Sequence, residues 1–353
     1  MRLAYAPYIL KFRQPAGTSR GVLHEKPTFF VKVFDESDPS RYGIGECSVF
    51  PGLSPEADGN YGYKLIELLA NMALDKETDL SRYSSIQIGL EEALQDFAGG
   101  CRHVYFPSAF TQGKSEIRIN GLVWMGDFDR MIERIDEKVA QGFRCIKLKI
   151  GAIDWQKEVD MIEYIRRKYS DRQLEIRVDA NGAFTMENVF PRLKRLADLG
   201  VHSIEQPVAA SLPAELLAFV CSVSPLKIAL DESLIGISDD ESRRNLLDVV
   251  KPAYIILKPS LCGGFAGASQ WIKAAEERGI GWWVTSALES NVGLNAIAQW
   301  TATLGNDMPQ GLGTGALFTN NFMSPLTLEA DELKYDSSKI INNEEFDKLD
   351  WHY

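Results

Sequence analysis

The feature that most constrains the fold is a regular alternation of short β-rich runs with amphipathic helical segments, which begins near residue 117. Several of the helical segments end at a glycine, namely Gly142, Gly200 and Gly279. Strands that alternate with glycine-terminated helices are typical of βαβ units and a parallel sheet. With a weak run near Gly311, about eight strands fit, which predicts a (β/α)₈-type barrel in the α/β class. A doubly wound open sheet is the competing fold.

The individual elements of this alternation can be placed on the chain. The predicted strands are residues 117–124, 145–150, 174–179, 203–205, 227–231, 254–258 and 282–285. The predicted helices are residues 128–141, 155–169, 186–199, 213–223 and 266–278. We therefore assign residues 116–315 to the barrel.

The region before the barrel has a different pattern. Residues 1–115 are predicted to be α+β, with a strand at 28–34 and helices at 66–74 and 86–97. Two turn-rich segments, residues 15–21 and 51–55, are interpreted as loops able to close over a site, with Thr18, Ser19 and Arg20 as the lid of the first. The tail, about residues 316–353, is predicted to be irregular and to pack back on this region.

Composition excludes several classes of function. The chain has 38 Lys and Arg against 49 Asp and Glu, a net charge of −11. This balance argues against a nucleic-acid or anionic-membrane partner, which would need a basic face. The N-terminus lacks a signal-peptide pattern, and no apolar run is long enough for a transmembrane helix, so we expect a cytoplasmic protein. The five cysteines are odd in number and widely spaced, which favours reduced thiols over disulfides or a zinc site.

Charged residues end four consecutive predicted strands. Asp179, Glu205, Asp231 and Lys258 follow one another at intervals of 26, 26 and 27 residues, each about one βα unit. The carboxyl ends of neighbouring barrel strands lie side by side on the rim where barrel active sites form. We therefore expect three carboxylates and one ammonium to converge at a catalytic site.

Three converging carboxylates would repel one another without a cation. Oxygen ligands from two or three carboxylates, with positions left for water and substrate, are typical of Mg²⁺. No histidine accompanies these carboxylates to favour zinc, since His202 would lie further down its strand and is interpreted as structural. The sequence thus predicts a magnesium site at Asp179, Glu205 and Asp231.

Two lysines precede these residues on the neighbouring strand. Lys147 and Lys149 alternate along it and so share a face, which points into the barrel. Buried side by side near a divalent cation, they are expected to have lowered pKa values, which suits one of them to act as a general base. Lys258 would face them from the other side of the site.

Together these residues resemble the muconate-lactonizing-enzyme branch of the enolase superfamily. The resemblance implies a barrel with an α+β capping domain formed by the N-terminal region and completed by the tail. It implies that Asp179, Glu205 and Asp231 bind Mg²⁺, with Mn²⁺ able to substitute, and that Lys149 is the catalytic acid/base with Lys258 across the site. The motifs that carry the resemblance are Lys147-x-Lys149, Val178-Asp179-Ala-Asn181-Gly182, Ile204-Glu205-Gln-Pro207, Leu230-Asp231-Glu232-Ser233 and Leu257-Lys258-Pro-Ser260.

Within that branch, residues 285–290 and 311–317 look like those of the o-succinylbenzoate synthase family. This implies dehydration of a small carboxylate substrate, with Ser286, Gly313 and Thr314 as candidate substrate-binding residues. Racemases or epimerases of acylated amino acids or dipeptides are one alternative, because the same lysines serve both chemistries. Dipeptide epimerases usually carry Asp-x-Asp where this chain has Gly-Thr-Gly. A barrel without catalytic activity is a remote alternative.

Two further residues are expected to support the site. Asn181 is interpreted as a support of the metal ligands, and Glu232 as a partner of Lys147. The oligomeric state is left open by the sequence.

Overall fold

The computed structural model describes residues 1–18, 21–74, 76–124, 128–339, 341 and 343–353. Its N-terminal part is an antiparallel three-stranded sheet with two helices packed on it. The elements are β1 (Arg2–Thr18), β2 (Gly21–Asp35), β3 (Asp38–Cys47), α1 (Tyr61–Ala73) and α2 (Ser84–Ala98). Val31, Leu65 and Leu90 belong to the buried cluster between this sheet and its helices. This part corresponds to the α+β capping domain expected from the sequence.

The middle of the chain is a parallel sheet whose strands are joined by helices. A short strand, β4 (Ile117–Arg118), precedes it. The sheet comprises β5 (Gly121–Val123), β6 (Cys145–Lys149), β7 (Glu175–Asp179), β8 (Ser203–Glu205), β9 (Lys227–Leu230), β10 (Tyr254–Leu257) and β11 (Gly281–Val284), side by side in chain order. The helices are α3 (Phe128–Ala140), α4 (Trp155–Lys168), α5 (Val189–Asp198), α6 (Ala214–Val223), α7 (Asp240–Val250), α8 (Gly264–Glu276) and α9 (Asn291–Ala302).

Residues 310 and 311 close this sheet into a barrel. The backbone N–H of Asn120 donates to the carbonyl of Gln310 at 2.9 Å, just before β5. On the other side, the N–H of Gly311 donates to the carbonyl of Val284, at the end of β11, at 2.7 Å. The predicted weak run near Gly311 thus takes the eighth position as a two-residue bridge. The (β/α)₈-type barrel predicted from the sequence is confirmed.

Alternation along β6 shows how the sequence separates the core from the site. Ile146 and Leu148 are fully buried in the large hydrophobic cluster shared with the helices. Lys147 and Lys149, on the opposite face of the strand, line a cavity inside the barrel. The outward residues therefore fix the strand against the helix layer, and the inward residues form the site.

The tail contains more regular structure than the sequence indicated. It forms a hairpin of β12 (Leu326–Glu329) and β13 (Glu332–Tyr335), followed by α10 (Asn343–Asp347). The tail also contacts the N-terminal sheet, since the N–H of Arg13 donates to the carbonyl of Leu317 at 2.7 Å. The exact division of the chain near residues 115 and 316 remains a prediction.

Other predicted elements also differ from those observed. The prediction of one strand over 117–124 is wrong, because β4 pairs with β13 whereas β5 pairs with β6. Residues 15–18 were expected in a loop but continue β1 beyond a bulge, where Ala16 pairs with Leu23. Ser19 and Arg20 of the predicted lid lie outside the described residues, and Thr18 ends β1.

In the described part of the chain, no helix is long and apolar enough to cross a membrane. All five cysteines lie within the described residues and carry free thiols.

Candidate functional site

A cavity opens where the barrel strands end, and it brings together most of the predicted site residues. Its lining includes the three predicted lysines and both predicted supports. The three predicted metal ligands lie at the ends of β7, β8 and β9 and are almost fully buried, with Asp179 0%, Glu205 2% and Asp231 2% exposed. The lysines and supports on the lining are Lys147, Lys149, Lys258, Asn181 and Glu232.

The buried carboxylates are paired with the lysines. Lys147 Nζ lies 2.5 Å from Glu205 Oε2 and 2.9 Å from Asp179 Oδ2, so it bridges two strands. Lys149 Nζ lies 2.5 Å from Asp179 Oδ2. On the other side of the cavity, Lys258 pairs with Asp231. The structure therefore places two lysines of β6 and one from the end of β10 around a row of carboxylates.

These ion pairs determine the electrostatics of the site. Burial acts to lower the pKa of Lys147, but the charges of Asp179 and Glu205 outweigh it and the pKa is raised. The pKa of Lys258 is also raised, because Asp231, Glu232 and Glu205 outweigh burial. The expectation of a lowered pKa is thus wrong for Lys147 in this arrangement, since each ammonium has a carboxylate partner.

The carboxylates themselves respond in opposite directions. Burial acts to raise the pKa of Asp179, but Lys147 and Lys149 outweigh it and lower the pKa. The pKa of Glu205 is raised well above its usual range by burial and by the neighbouring charges of Asp179 and Asp231. A bound divalent cation would offset the repulsion between these crowded carboxylates and favour their ionised forms.

The donor set fits a hard divalent cation in its chemistry. Glu205 Oε1 is buried and has no hydrogen-bond partner, which leaves an acceptor for a cation on the middle of the three strands. As the side chains stand, no group of three or more His, Cys, Asp or Glu within the described residues is arranged to hold a metal ion. The ion pairs with Lys147 and Lys258 account for this, because the ammonium groups already occupy carboxylate oxygens.

The two predicted supports contact each other. The backbone N–H of Asn181 donates to Asp179 Oδ1 at 3.0 Å, and its Nδ2 donates to Glu232 Oε1 at 2.9 Å. Asn181 Oδ1 also accepts from Lys149 Nζ at 3.0 Å. Lys147, the expected partner of Glu232, pairs with Asp179 and Glu205. Asn181 therefore holds both a predicted metal ligand and the predicted base.

A glutamine that the sequence reasoning did not select, Gln206, fixes the backbone just after β9. Gln206 Oε1 accepts from the backbone N–H groups of Asp231 at 3.2 Å and Ser233 at 3.3 Å. Its backbone φ is 39°, in the left-handed region that few residues adopt. The motif Ile204-Glu205-Gln206-Pro207 was the only signal for it, and its role is to position Asp231.

The predicted substrate-binding hydroxyls are already engaged with each other. Thr314 Oγ1 donates to Ser286 Oγ at 2.9 Å, and Ser286 Oγ donates to Glu289 Oε2 at 2.7 Å. Ser286 Oγ also accepts from the backbone N–H of Leu288 at 2.9 Å. Both hydroxyl protons are thus committed within the protein, and Glu289, which the sequence reasoning missed, is the end of this chain. Gly313 lies on the cavity wall beside Thr314.

The rest of the cavity wall comes from residues that the sequence reasoning did not select. Asn120, Leu122 and Trp124 alternate along the chain at β5 and all line the cavity. Phe50 and Leu53 reach it from the capping domain, which places the turn-rich segment 51–55 beside the site. The alternation of Asn120, Leu122 and Trp124 was the sequence signal that could have placed these three residues on the cavity wall.

Comparison with known proteins supports one family. The sequence matches the family described as "Enolase C-terminal domain-like" over residues 130–334. It is 47% identical to an o-succinylbenzoate synthase of Desulfotalea psychrophila, over 93% of this chain and 97% of that one. It is 30% identical to an o-succinylbenzoate synthase of Geobacillus stearothermophilus, over 80% and 76% of the two chains. The crystal structure of MenC from Desulfotalea psychrophila superposes with a TM-score of 0.84 at 42% identity, over 95% of this chain and 99% of that one.

Proposed function

The chain belongs to the enolase superfamily, in its muconate-lactonizing-enzyme branch, and we propose that it is an o-succinylbenzoate synthase. The reaction is a syn dehydration of 2-succinyl-6-hydroxy-2,4-cyclohexadiene-1-carboxylate to o-succinylbenzoate, a step of menaquinone biosynthesis. The enzyme is therefore a hydro-lyase acting on a small carboxylate substrate. The 47% identity to a synthase over 93% of the chain carries this assignment.

Lys149 and Lys258 would lie on opposite sides of the bound substrate. Lys149, on β6, and Lys258, at the end of β10, line the same cavity from strands that are separated by the three carboxylate-bearing strands. A substrate held between them has one lysine on each side of its reacting carbon. We assign proton transfer to Lys149 and stabilisation of charge to Lys258, and Lys147 helps to hold the row of carboxylates.

Proton abstraction begins at the ring carbon next to the carboxylate. Neutral Lys149 takes the proton from this carbon, and the electron pair of the broken C–H bond is delocalised toward the carboxylate as an enediolate. The C–O bond to the hydroxyl group then breaks, and the ammonium of Lys149 returns the proton to the departing oxygen. One water leaves, the ring becomes aromatic, and Lys149 is neutral again.

The remaining groups prepare these transfers. Asn181 fixes Lys149 Nζ at 3.0 Å, which limits the positions from which the amine can reach the substrate. Lys258 stays cationic throughout and stabilises the delocalised anion, because its pKa is raised by the acidic groups around it. Burial of the site strengthens these interactions by excluding water.

Enzymes of the enolase superfamily typically depend on Mg²⁺, and we propose that Asp179, Glu205 and Asp231 hold it here. When bound, Mg²⁺ supplies a positive charge that offsets the carboxylates and lowers the energy of negative charge on the substrate carboxylate. Oxygen-only ligands suit Mn²⁺ equally, so we expect Mn²⁺ to substitute.

Turnover of the named substrate tests the function. The purified protein with Mg²⁺ is mixed with the hydroxycyclohexadiene carboxylate, and formation of the aromatic product is followed by absorbance. We expect turnover that is abolished by EDTA and restored by Mg²⁺ or Mn²⁺. Absence of turnover, together with α-proton exchange into D₂O on N-succinyl amino acids or dipeptides, would replace the synthase by a racemase or epimerase.

A further inference from the structure

The order of strands around the barrel divides the cavity into two poles. The three carboxylates lie at the ends of β7, β8 and β9, and the two reacting lysines flank them on β6 and after β10. The opposite pole is formed by the end of β11, the closing segment near Gly311 and the residues at β5. A substrate whose ring carboxylate lies at the first pole, with its reacting carbon between the lysines, extends its succinyl arm toward the second.

The second pole has few hydrogen-bond donors left for that arm. Thr314 donates to Ser286 and Ser286 donates to Glu289, so neither hydroxyl has a proton available. Thr285 Oγ1 donates to the carbonyl of Gly311 at 3.0 Å. The hydroxyl groups that would be the obvious donors to a distal carboxylate are therefore committed.

Asn120 is the exception on this wall. Its side chain is 4% exposed and lines the cavity. Its Oδ1 is buried without a hydrogen-bond partner. No described residue accepts a hydrogen bond from its Nδ2. A carboxylate has no proton to donate to Oδ1, so the groups of Asn120 that can bind an anionic ligand are the two N–H bonds of Nδ2.

Asn120 lies deeper in the barrel than the two lysines of β6. Leu122 is in register with Lys147 across β5 and β6, and Asn120 lies two residues before it. At about 3.3 Å per residue, Asn120 lies roughly 7 Å along the strand below the level of Lys147 and roughly 13 Å below that of Lys149, so an arm that reaches it runs extended down the barrel. Asn120 is also next to the closing segment, since its carbonyl oxygen lies 3.8 Å from the position of a β-carbon built on Gly313.

We propose that Asn120 binds the distal carboxylate of the succinyl arm through its side-chain amide and thereby selects substrates that carry an acid at this end. The inference rests on the proposed function and adds a specificity-determining residue to it. Asn120 takes no part in the proton transfers, so its effect is on binding.

Binding of the reaction product tests this assignment in the presence of Mg²⁺. The affinity of o-succinylbenzoate is measured by calorimetry for the wild type, Asn120→Ala and Asn120→Asp, and again with a ligand whose distal carboxylate is an amide. A lost hydrogen bond to a charged group predicts about 10- to 100-fold weaker binding of the acid by Asn120→Ala. Asn120→Asp places like charges together and is expected to weaken it by about 100-fold or more.

The amide ligand separates a contact from a general loss of structure. Asn120→Asp is expected to bind the distal amide as well as the wild type does, since an aspartate accepts from an amide N–H. Asn245→Asp, the same substitution at an exposed position of α7, should leave the affinities of both ligands unchanged. In the turnover assay, the two Asn120 variants should raise KM by the same factors and change kcat little.

Three results would overturn the inference. If Asn120→Asp binds the acid with unchanged affinity, Asn120 does not contact the distal carboxylate. If Asn120→Asp weakens the binding of acid and amide equally, the substitution acts through the fold or on another part of the ligand. A wild-type protein that neither binds o-succinylbenzoate nor forms it removes the proposed function and this inference together, whereas wild-type turnover with either of the first two results removes the inference alone.

Discussion

The contact between α2 and β3 depends on the absence of a side chain at Gly89. A β-carbon built there would lie 2.5 Å from Cys47 Sγ and 2.9 Å from the backbone nitrogen of Cys47. Because one of these neighbours is backbone, the helix or the strand must shift, and overpacking of this kind costs about 1–3 kcal/mol. Replacing a helical glycine by alanine gains about 1 kcal/mol of helix propensity. The balance predicts that Gly89→Ala lowers the free energy of unfolding by up to about 2 kcal/mol.

Urea unfolding followed by circular dichroism measures this difference, with Gly62→Ala in α1 as the matched control. A β-carbon at Gly62 would meet only ring carbons of Phe29 at 3.9 Å, an ordinary contact. Gly62→Ala is therefore expected to gain up to about 1 kcal/mol from helix propensity alone. If Gly89→Ala gains stability as Gly62→Ala does, the close approach of α2 and β3 is refuted.

Three further predictions concern charge and metal. Burial acts to lower the pKa of His103, but the hydrogen bond and the charge of Asp96 outweigh burial and raise the pKa above 6.5. The stability that the protonated His103 contributes should be full below about pH 6.5 and lost as the pH rises through the folded pKa. The difference in free energy of unfolding between the wild type and His103→Gln should therefore shrink from pH 6 to pH 9. Lys32 Nζ lies 4.5 Å from the centre of the Trp351 ring. Lys32→Met should lower the free energy of unfolding by about 0.5–2 kcal/mol and speed amide hydrogen exchange in the tail. An unchanged exchange rate would count against this cation–π contact. Mg²⁺ at 100 times its dissociation constant should raise the free energy of unfolding by about 2.7 kcal/mol, and a gain that persists in Asp231→Asn would point to a different site.

The sequence predicted the barrel because its signal is repeated and local. Five of the seven strand runs are followed by a predicted amphipathic helix, and the charged strand ends recur at the spacing of one βα unit. The positions of Asp179, Glu205, Asp231 and Lys258 follow from that repeat. The structure places Lys258 on the cavity wall and each of the three carboxylates in an ion pair with a lysine that lines the cavity. Their roles as metal ligands and catalytic groups remain predictions.

What the sequence missed depends on which groups the fold brings into contact. The strand β4 was merged with β5, because only pairing with β13, more than 200 residues later, separates them. The hydrogen bond from Ser286 to Glu289 could not be predicted, since the sequence does not show which acceptor a hydroxyl at a strand end will find. The paired state of Lys147 was misjudged for a similar reason, because its pKa depends on which oxygens lie within reach.

The rate of product formation by a Lys149 variant tests the central claim most directly. General acid–base catalysis is worth about 10²- to 10⁴-fold, so kcat of Lys149→Ala should fall by at least about 100-fold with Mg²⁺ present. Lys194→Ala, at a lysine whose side chain is 70% exposed on α5, should keep the wild-type kcat. A Lys149→Ala enzyme that retains kcat within about tenfold of the wild type would contradict the assignment of Lys149 as the base.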